Sequence, residues 1–93
     1  MSEDFTRRVL QVAADATAPL GRFDIAEAIN PGPHGLTEDA PEYEAFATRR
    51  IDIIRTAVRL EQEGLLECVT PATGEQGDLL RISAAGRDRL QNL

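Results

Sequence analysis

The sequence predicts an α+β domain that is mostly helical, with four helices and one β-hairpin. Apolar residues recur at helical spacing along much of the chain, and two short β-prone runs flank a Gly-containing turn. Of the 93 residues, 42% are hydrophobic, which is enough for one packed core. No repeat or shift of composition divides the chain, so residues 1–93 are expected to form a single domain.

The N-terminal part predicts two helices. Over residues 3–17, apolar side chains recur at i, i+4, i+7, i+8 and i+11, and Ser2 is a candidate N-cap. Residues 22–30 predict a short second helix with Gly21 as a tolerable N-cap. Asp24 then falls at the third helical position, where a carboxylate faces the positive end of the helix dipole.

A long third helix is predicted over about 42–63. Thr37 or Asp39 could cap its start, and Asp39 with Glu42 has the spacing of a capping box. Gly64 is expected to end the helix, because glycine adopts the left-handed conformation at low cost.

The C-terminal part predicts a hairpin and a last helix. Residues 65–70 and 79–82 are the two strands, and the stretch between them is rich in turn-forming residues. Ser83 is expected to cap a helix over about 84–91. Gly86, at the third position of that helix, has no side chain and would let the helix lie close to the sheet.

Composition excludes several classes of function. The ten basic residues are all Arg and face sixteen acidic ones, which gives a formal net charge of −6. Bulk charge therefore cannot attract this chain to nucleic acid or to an anionic membrane. Cys68 and His34 are the single cysteine and the single histidine, so neither an intramolecular disulfide nor a four-ligand zinc site is expected.

The sequence also lacks the signals of membrane insertion and of catalysis. No apolar run approaches the ~20 residues of a membrane span, and the acidic N-terminus has no signal-peptide pattern, so we expect a soluble cytoplasmic protein. No triad, metal-carboxylate or phosphate-loop motif is present. We therefore expect no enzymatic activity, no cofactor and no bound metal.

Three segments resemble the winged helix-turn-helix domain of MarR- and PadR-type prokaryotic transcription regulators. Leu20–Ile29 resembles the helix before the recognition helix, Val58–Glu67 the passage from the recognition helix into the wing, and Leu80–Leu90 the exit from the wing. The resemblance implies a winged helix formed by three helices, a two-stranded wing and a C-terminal helix. It also implies a DNA-binding transcriptional regulator with a homodimer as the candidate assembly and the first and last helices as candidate dimer surfaces.

Two features depart from that family pattern. About a dozen residues, Asn30 to Pro41, separate the second and third helices, where three or four are usual. The third helix is also longer than a typical recognition helix. Either its first turns are a separate helical piece, or the recognition helix begins near Ala47–Arg49.

The third helix supplies the candidate DNA-binding residues. On a helical wheel its apolar positions fall on two adjoining stripes: Ala47, Ile51, Ile54 and Val58 on one, and Phe46, Ile53, Ala57 and Leu60 on the other. The remaining sector is polar and holds three Arg, which suit guanine edges and phosphates. Double-stranded DNA would be contacted in the major groove by this sector and along its backbone by the second wing strand, through Thr48, Arg49, Arg55, Thr56, Arg59 and Arg81.

A different class of function fits the same residues. Asp52 has the spacing to pair with Arg49 or Arg55, and Glu63 with Arg59, which is typical of a solvated helix surface. Residues 31–48 carry four acidic side chains and no basic one, an arrangement that would repel phosphate. The alternative is therefore a winged-helix protein-interaction module or adaptor subunit that binds a protein partner and not DNA.

Four further residues have ordinary structural interpretations. His34 lies in a Pro/Gly loop and is expected to be exposed and incidental. Cys68, within a strand, is expected to be a small buried hydrophobe. Tyr43 and Phe46 are expected to pack in the core or against a loop.

Overall fold

The computed structural model describes residues 5–32, 39–73 and 77–93. Its elements follow the predicted order, with three helices, a hairpin and a fourth helix, and the mostly helical α+β class is confirmed. Their bounds are α1 (Thr6–Asp15), α2 (Arg22–Ile29), α3 (Pro41–Gln62), β1 (Leu66–Thr70), β2 (Leu79–Ile82) and α4 (Ala84–Gln91). The predictions for Ser2, His34 and Thr37 lie outside the described residues.

One hydrophobic core joins the first three helices to the hairpin. Buried apolar side chains come from α1, α2, α3 and both strands, and Leu90 of α4 packs against them while half-buried. The buried members are Phe5, Val9, Leu10, Ala13, Ile25, Ala26, Ile29, Ile53, Ala57, Leu60, Leu65, Leu66, Leu80 and Ile82.

The first turn of α2 has the predicted cap. Gly21 is the N-cap in an extended conformation, and its N–H donates to Oδ2 of Asp24 at 3.0 Å. Asp24 is also the acidic residue of the first turn, so one side chain satisfies a free backbone donor and favours the helix dipole.

The start of α3 differs from the prediction. The helix is one continuous element of 22 residues, so neither a separate first piece nor a late start near Ala47–Arg49 is observed. Asp39 is not its cap: the N-cap is Ala40, which has no capping side chain, and Pro41 occupies the first turn. Proline fixes φ at a helical value and needs no hydrogen-bond acceptor there, and it holds the preceding residue in an extended conformation.

The end of α3 forms a Schellman motif at the predicted glycine. Gly64 has a φ of 78°, and its N–H donates to Glu61 O at 3.1 Å. The N–H of Leu65 donates to Leu60 O at 2.9 Å, and both leucine side chains are buried. These bonds satisfy helix carbonyls and direct the chain into β1.

A third backbone segment, at Leu20, pairs with the hairpin. β1 and β2 pair antiparallel, with Leu66 opposite Ile82 and Cys68 opposite Leu80. Leu20 and Leu80 exchange backbone hydrogen bonds of 2.8 and 2.7 Å, so β2 lies between β1 and the residue before α2. The prediction that Cys68 is buried is wrong: it lies on the outer strand and is exposed, whereas its partner Leu80 is covered on both sides.

Ser83 links the end of the hairpin, the end of α3 and the start of α4. Its Oγ accepts from Gly86 N at 3.0 Å, as the prediction of a capping serine requires, and it donates to Gly64 O at 2.6 Å. We expect Ser83→Ala to lower the free energy of unfolding by about 1–2 kcal/mol, because both bonds are lost. Urea denaturation measures this.

The matched control for that prediction is Ser83→Asp, which retains an acceptor for Gly86 N–H but has no donor for Gly64 O. Its loss should be smaller than that of Ser83→Ala. An unfolding midpoint for Ser83→Ala equal to that of the unmodified protein would contradict the capping role.

Candidate functional site

The six predicted DNA contacts do not form one free surface. Thr48, Arg49 and Arg55 are exposed and have no side-chain hydrogen bond or ion pair within the described ranges. The other three have intramolecular partners: the hydroxyl of Thr56 donates to Asp52 O at 2.8 Å, and the guanidinium of Arg59 donates to the hydroxyl of Thr6. Nε of Arg81 donates to Oε1 of Glu67 at 2.7 Å.

The free cations of α3 also point in different directions. At 100° per residue, Thr48 and Arg55 lie within about 20° of each other, whereas Arg49 and Arg55 lie about 120° apart. Arg59 is directed towards α1, where it meets Thr6. The ion pairs that the spacing suggested for Asp52 and Glu63 are not found among the described residues.

Of the two apolar stripes predicted on α3, one forms the core and the other does not. Ile53, Ala57 and Leu60 of the second stripe are buried. In the first stripe, Ile54 and Val58 are only half-buried, and Ile51 is 50% exposed. α3 therefore has a solvent-accessible apolar surface, formed by the first stripe, next to the face that is buried in the core.

A concave surface, here called the α2–α3 groove, is lined in part by Ile54 and Val58 of the first stripe. It encloses about 460 Å³ between the start of α2, the middle of α3 and the segment that enters β2. Phe23 is 65% exposed at its edge. The lining residues are Gly21, Arg22, Phe23, Asp24, Ile54, Val58, Gly77, Asp78 and Leu79.

Arg22 connects the three sides of the α2–α3 groove. Its Nη2 contacts Oε2 of Glu61 at 2.5 Å and Oδ2 of Asp78 at 3.4 Å, while its Nε is buried without a partner among the described residues. The hydrogen bond with Glu61, together with the two negative charges, raises the pKa of Arg22 despite its burial. The charge is therefore permanent and committed to internal contacts.

The second cation beside the groove is also engaged. Arg50 lies 5.5 Å from the centroid of the Phe23 ring, and its Nη1 is 3.4 Å from Oε2 of Glu27. This arrangement holds the exposed ring in place through a cation–π contact. Neither Arg22 nor Arg50 is thus available to a phosphate without the loss of an existing contact.

Sequence reasoning missed the exposed apolar residues of this surface. Phe23 falls outside the buried face of α2, which is formed by Ile25, Ala26 and Ile29. A phenylalanine off the core face of a short helix was the available signal. For Ile51 no such signal existed, because two adjoining stripes on one helix leave open which of them is buried.

Several other kinds of site find no support in the described residues. No group of three or more His, Cys, Asp or Glu within the described ranges is placed to hold a metal ion. None of the helices described is both long enough and apolar enough to cross a bilayer. Comparison with known proteins finds no match to a family model, a curated protein or a solved structure.

Proposed function

We propose that this domain is a protein-interaction module that binds an apolar segment of a partner protein in the α2–α3 groove. The observation that carries the proposal is the exposure of Phe23 and Ile51 beside a concave surface whose floor includes Ile54 and Val58. Exposed aromatic and aliphatic side chains around a preformed groove are the usual anchors of peptide recognition.

The charges near the groove favour this proposal over DNA binding. Arg22 and Arg50 are paired with carboxylates, and Asp24 and Asp78 line the groove. A duplex placed over α2 and α3 would bring its phosphates towards these carboxylates and would leave Phe23 against a charged backbone. Both arrangements cost free energy.

A DNA-binding regulator is the second candidate, and one observation favours it. Thr48 and Arg55 lie on the same line of α3, are exposed and have no partner within the described residues. A single Arg and a Thr can contact one base step. For this candidate function, Arg49 would have to bind a phosphate beside the DNA groove that Arg55 enters, and Arg59 would have to lose its hydrogen bond to Thr6.

The proposal is tested by selecting randomised displayed peptides on the immobilised domain and by measuring Kd for the enriched sequences. We expect Phe23→Ala to weaken their binding about tenfold or more, because a central aromatic anchor is worth about 1.4 kcal/mol or more. Phe23 is 65% exposed, so the fold should tolerate its truncation.

The matched control is Leu93→Ala, which removes an exposed large hydrophobe (48% exposed) outside the groove and should leave Kd unchanged. A parallel selection with randomised DNA duplexes at ~50 mM salt tests the second candidate. Enriched duplexes that lose affinity in an Arg49→Ala, Arg55→Ala double variant, with no peptide enriched, would replace the proposal by the DNA-binding regulator.

A further inference from the structure

We infer that the partner segment carries a Lys or Arg next to its apolar anchor, with the cation directed at Asp24 and Asp78. This inference rests on the proposed function and specifies its partner. The carboxylates of the α2–α3 groove, the arginines around them and the net charge of the chain support it.

Both carboxylates have unused capacity to accept hydrogen bonds. Asp24 is exposed, and its one side-chain hydrogen bond in the described structure is from Gly21 N–H to Oδ2 at 3.0 Å. In Asp78, Oδ1 accepts from Ala72 N–H at 2.8 Å, and Oδ2 has only the long 3.4 Å contact with Arg22. An ionised carboxylate has about four acceptor sites, so each can still receive an N–H of an ammonium or guanidinium group.

The nearby arginines do not cancel this negative charge. Arg22 is 2.5 Å from Glu61, so its charge is offset by a third carboxylate. Arg50 lies over the Phe23 ring, is paired with Glu27 and is not among the residues that line the groove. Arg22 therefore contacts two carboxylates, those of Glu61 and Asp78, while Asp24 also lines the groove. The groove end formed by α2 and β2 remains negative.

Arg55 fixes the direction in which a basic partner would lie. It is exposed on the outer side of α3, beyond Ile51, and it is free within the described part of the chain. It would repel a cation placed on that side. A partner's cation is therefore directed to the α2 and β2 end, while its apolar side chains lie over Ile54 and Val58.

The same charges disfavour a second copy of this chain as the occupant. Two copies would each bring a formal net charge of −6 into contact. A basic segment from a different protein gains attraction where a second copy meets repulsion.

The test uses three displayed libraries of short peptides with the same randomised apolar positions. The other positions offer only Lys and Arg, only Ser and Gln, or only Asp and Glu. We expect the best basic peptides to bind about three- to tenfold more tightly than the best neutral ones, because partly exposed ion pairs contribute modestly. Added salt should reduce the difference.

The variants locate the effect. In an Asp24→Asn, Asp78→Asn double variant the basic advantage should fall below about twofold, whereas Asp88→Asn on α4, outside the groove, should retain it. Asp78 also accepts a hydrogen bond from Ala72 N–H, so its substitution could disturb the loop. The single variant Asp24→Asn is therefore measured as well, and it should remove part of the affinity advantage of the basic peptides.

The outcomes separate this inference from the proposed function. Equal affinity for basic and neutral peptides, with Phe23→Ala still disruptive, would overturn the inference and leave the proposed function standing. Tighter binding of acidic peptides would overturn it in the same way. Failure of all three libraries to bind would overturn both.

Discussion

Replacing Gly86 by alanine is expected to lower the free energy of unfolding by about 3 kcal/mol, at the upper end of the range for overpacked cores. A Cβ at this position would overlap the carbonyl oxygen of Leu65 and lie 3.0 Å from its carbonyl carbon. It would also lie 2.7 Å from Cγ1 of Ile82. The close neighbours are backbone atoms and a buried β2 side chain, so α4 would have to move away from the sheet.

The control is Gly77→Ala, because a Cβ at Gly77 meets no atom within 4 Å. That variant should unfold at the same urea concentration as the unmodified protein, or slightly above it, since alanine restricts the unfolded chain. Similar midpoints for Gly86→Ala and Gly77→Ala would show that α4 does not pack closely against Leu65 and Ile82.

Ile53→Ala is expected to cost about 3–4 kcal/mol, within the range for truncating a buried isoleucine. Ile53 is fully buried at the centre of the face that α3 turns to the core. Removing three side-chain carbons would leave a cavity among side chains from the other elements, which can relax only in part. Urea denaturation monitored by circular dichroism measures the loss.

Ile51→Ala, two residues earlier on the same helix, is the matched control. Ile51 is 50% exposed, so its truncation should change stability by no more than about 0.5 kcal/mol. It should instead weaken the binding of the peptides selected on the α2–α3 groove. Equal destabilisation by the two variants would mean that the orientation of α3 described above is wrong.

Local sequence signals predicted most of the fold. The Schellman glycine Gly64, the capping hydroxyl of Ser83 and the close approach at Gly86 were all expected from residue type and position. The first two act through backbone atoms a few residues away in sequence, whereas the third depends on the packing of α4 against Leu65, far from it along the chain. The failure at Asp39 has the same local origin, because Pro41 starts the helix without a side-chain cap.

The candidate site was much less predictable. The partner of Arg59 is a hydroxyl on α1, and that of Arg22 is a carboxylate 39 positions along the chain. Helical spacing suggested ion pairs within the predicted third helix, such as Glu63 with Arg59. Tertiary packing instead brought Arg59 to Thr6 of α1. The exposure of Cys68 depended likewise on which strand lies at the edge of the sheet, which a pattern of residue types does not specify.

The backbone bridge between Leu20 and Leu80 has a consequence for the order of folding events. α3, the hairpin and α4 are contiguous in sequence, so most of their contacts close short loops. The bridge closes a much longer loop of chain, and so does the neighbouring contact between Arg22 and Asp78, which are 56 positions apart. Contacts of such separation form late, since the loop entropy must be overcome first. Weakening them should therefore accelerate unfolding far more than it slows refolding.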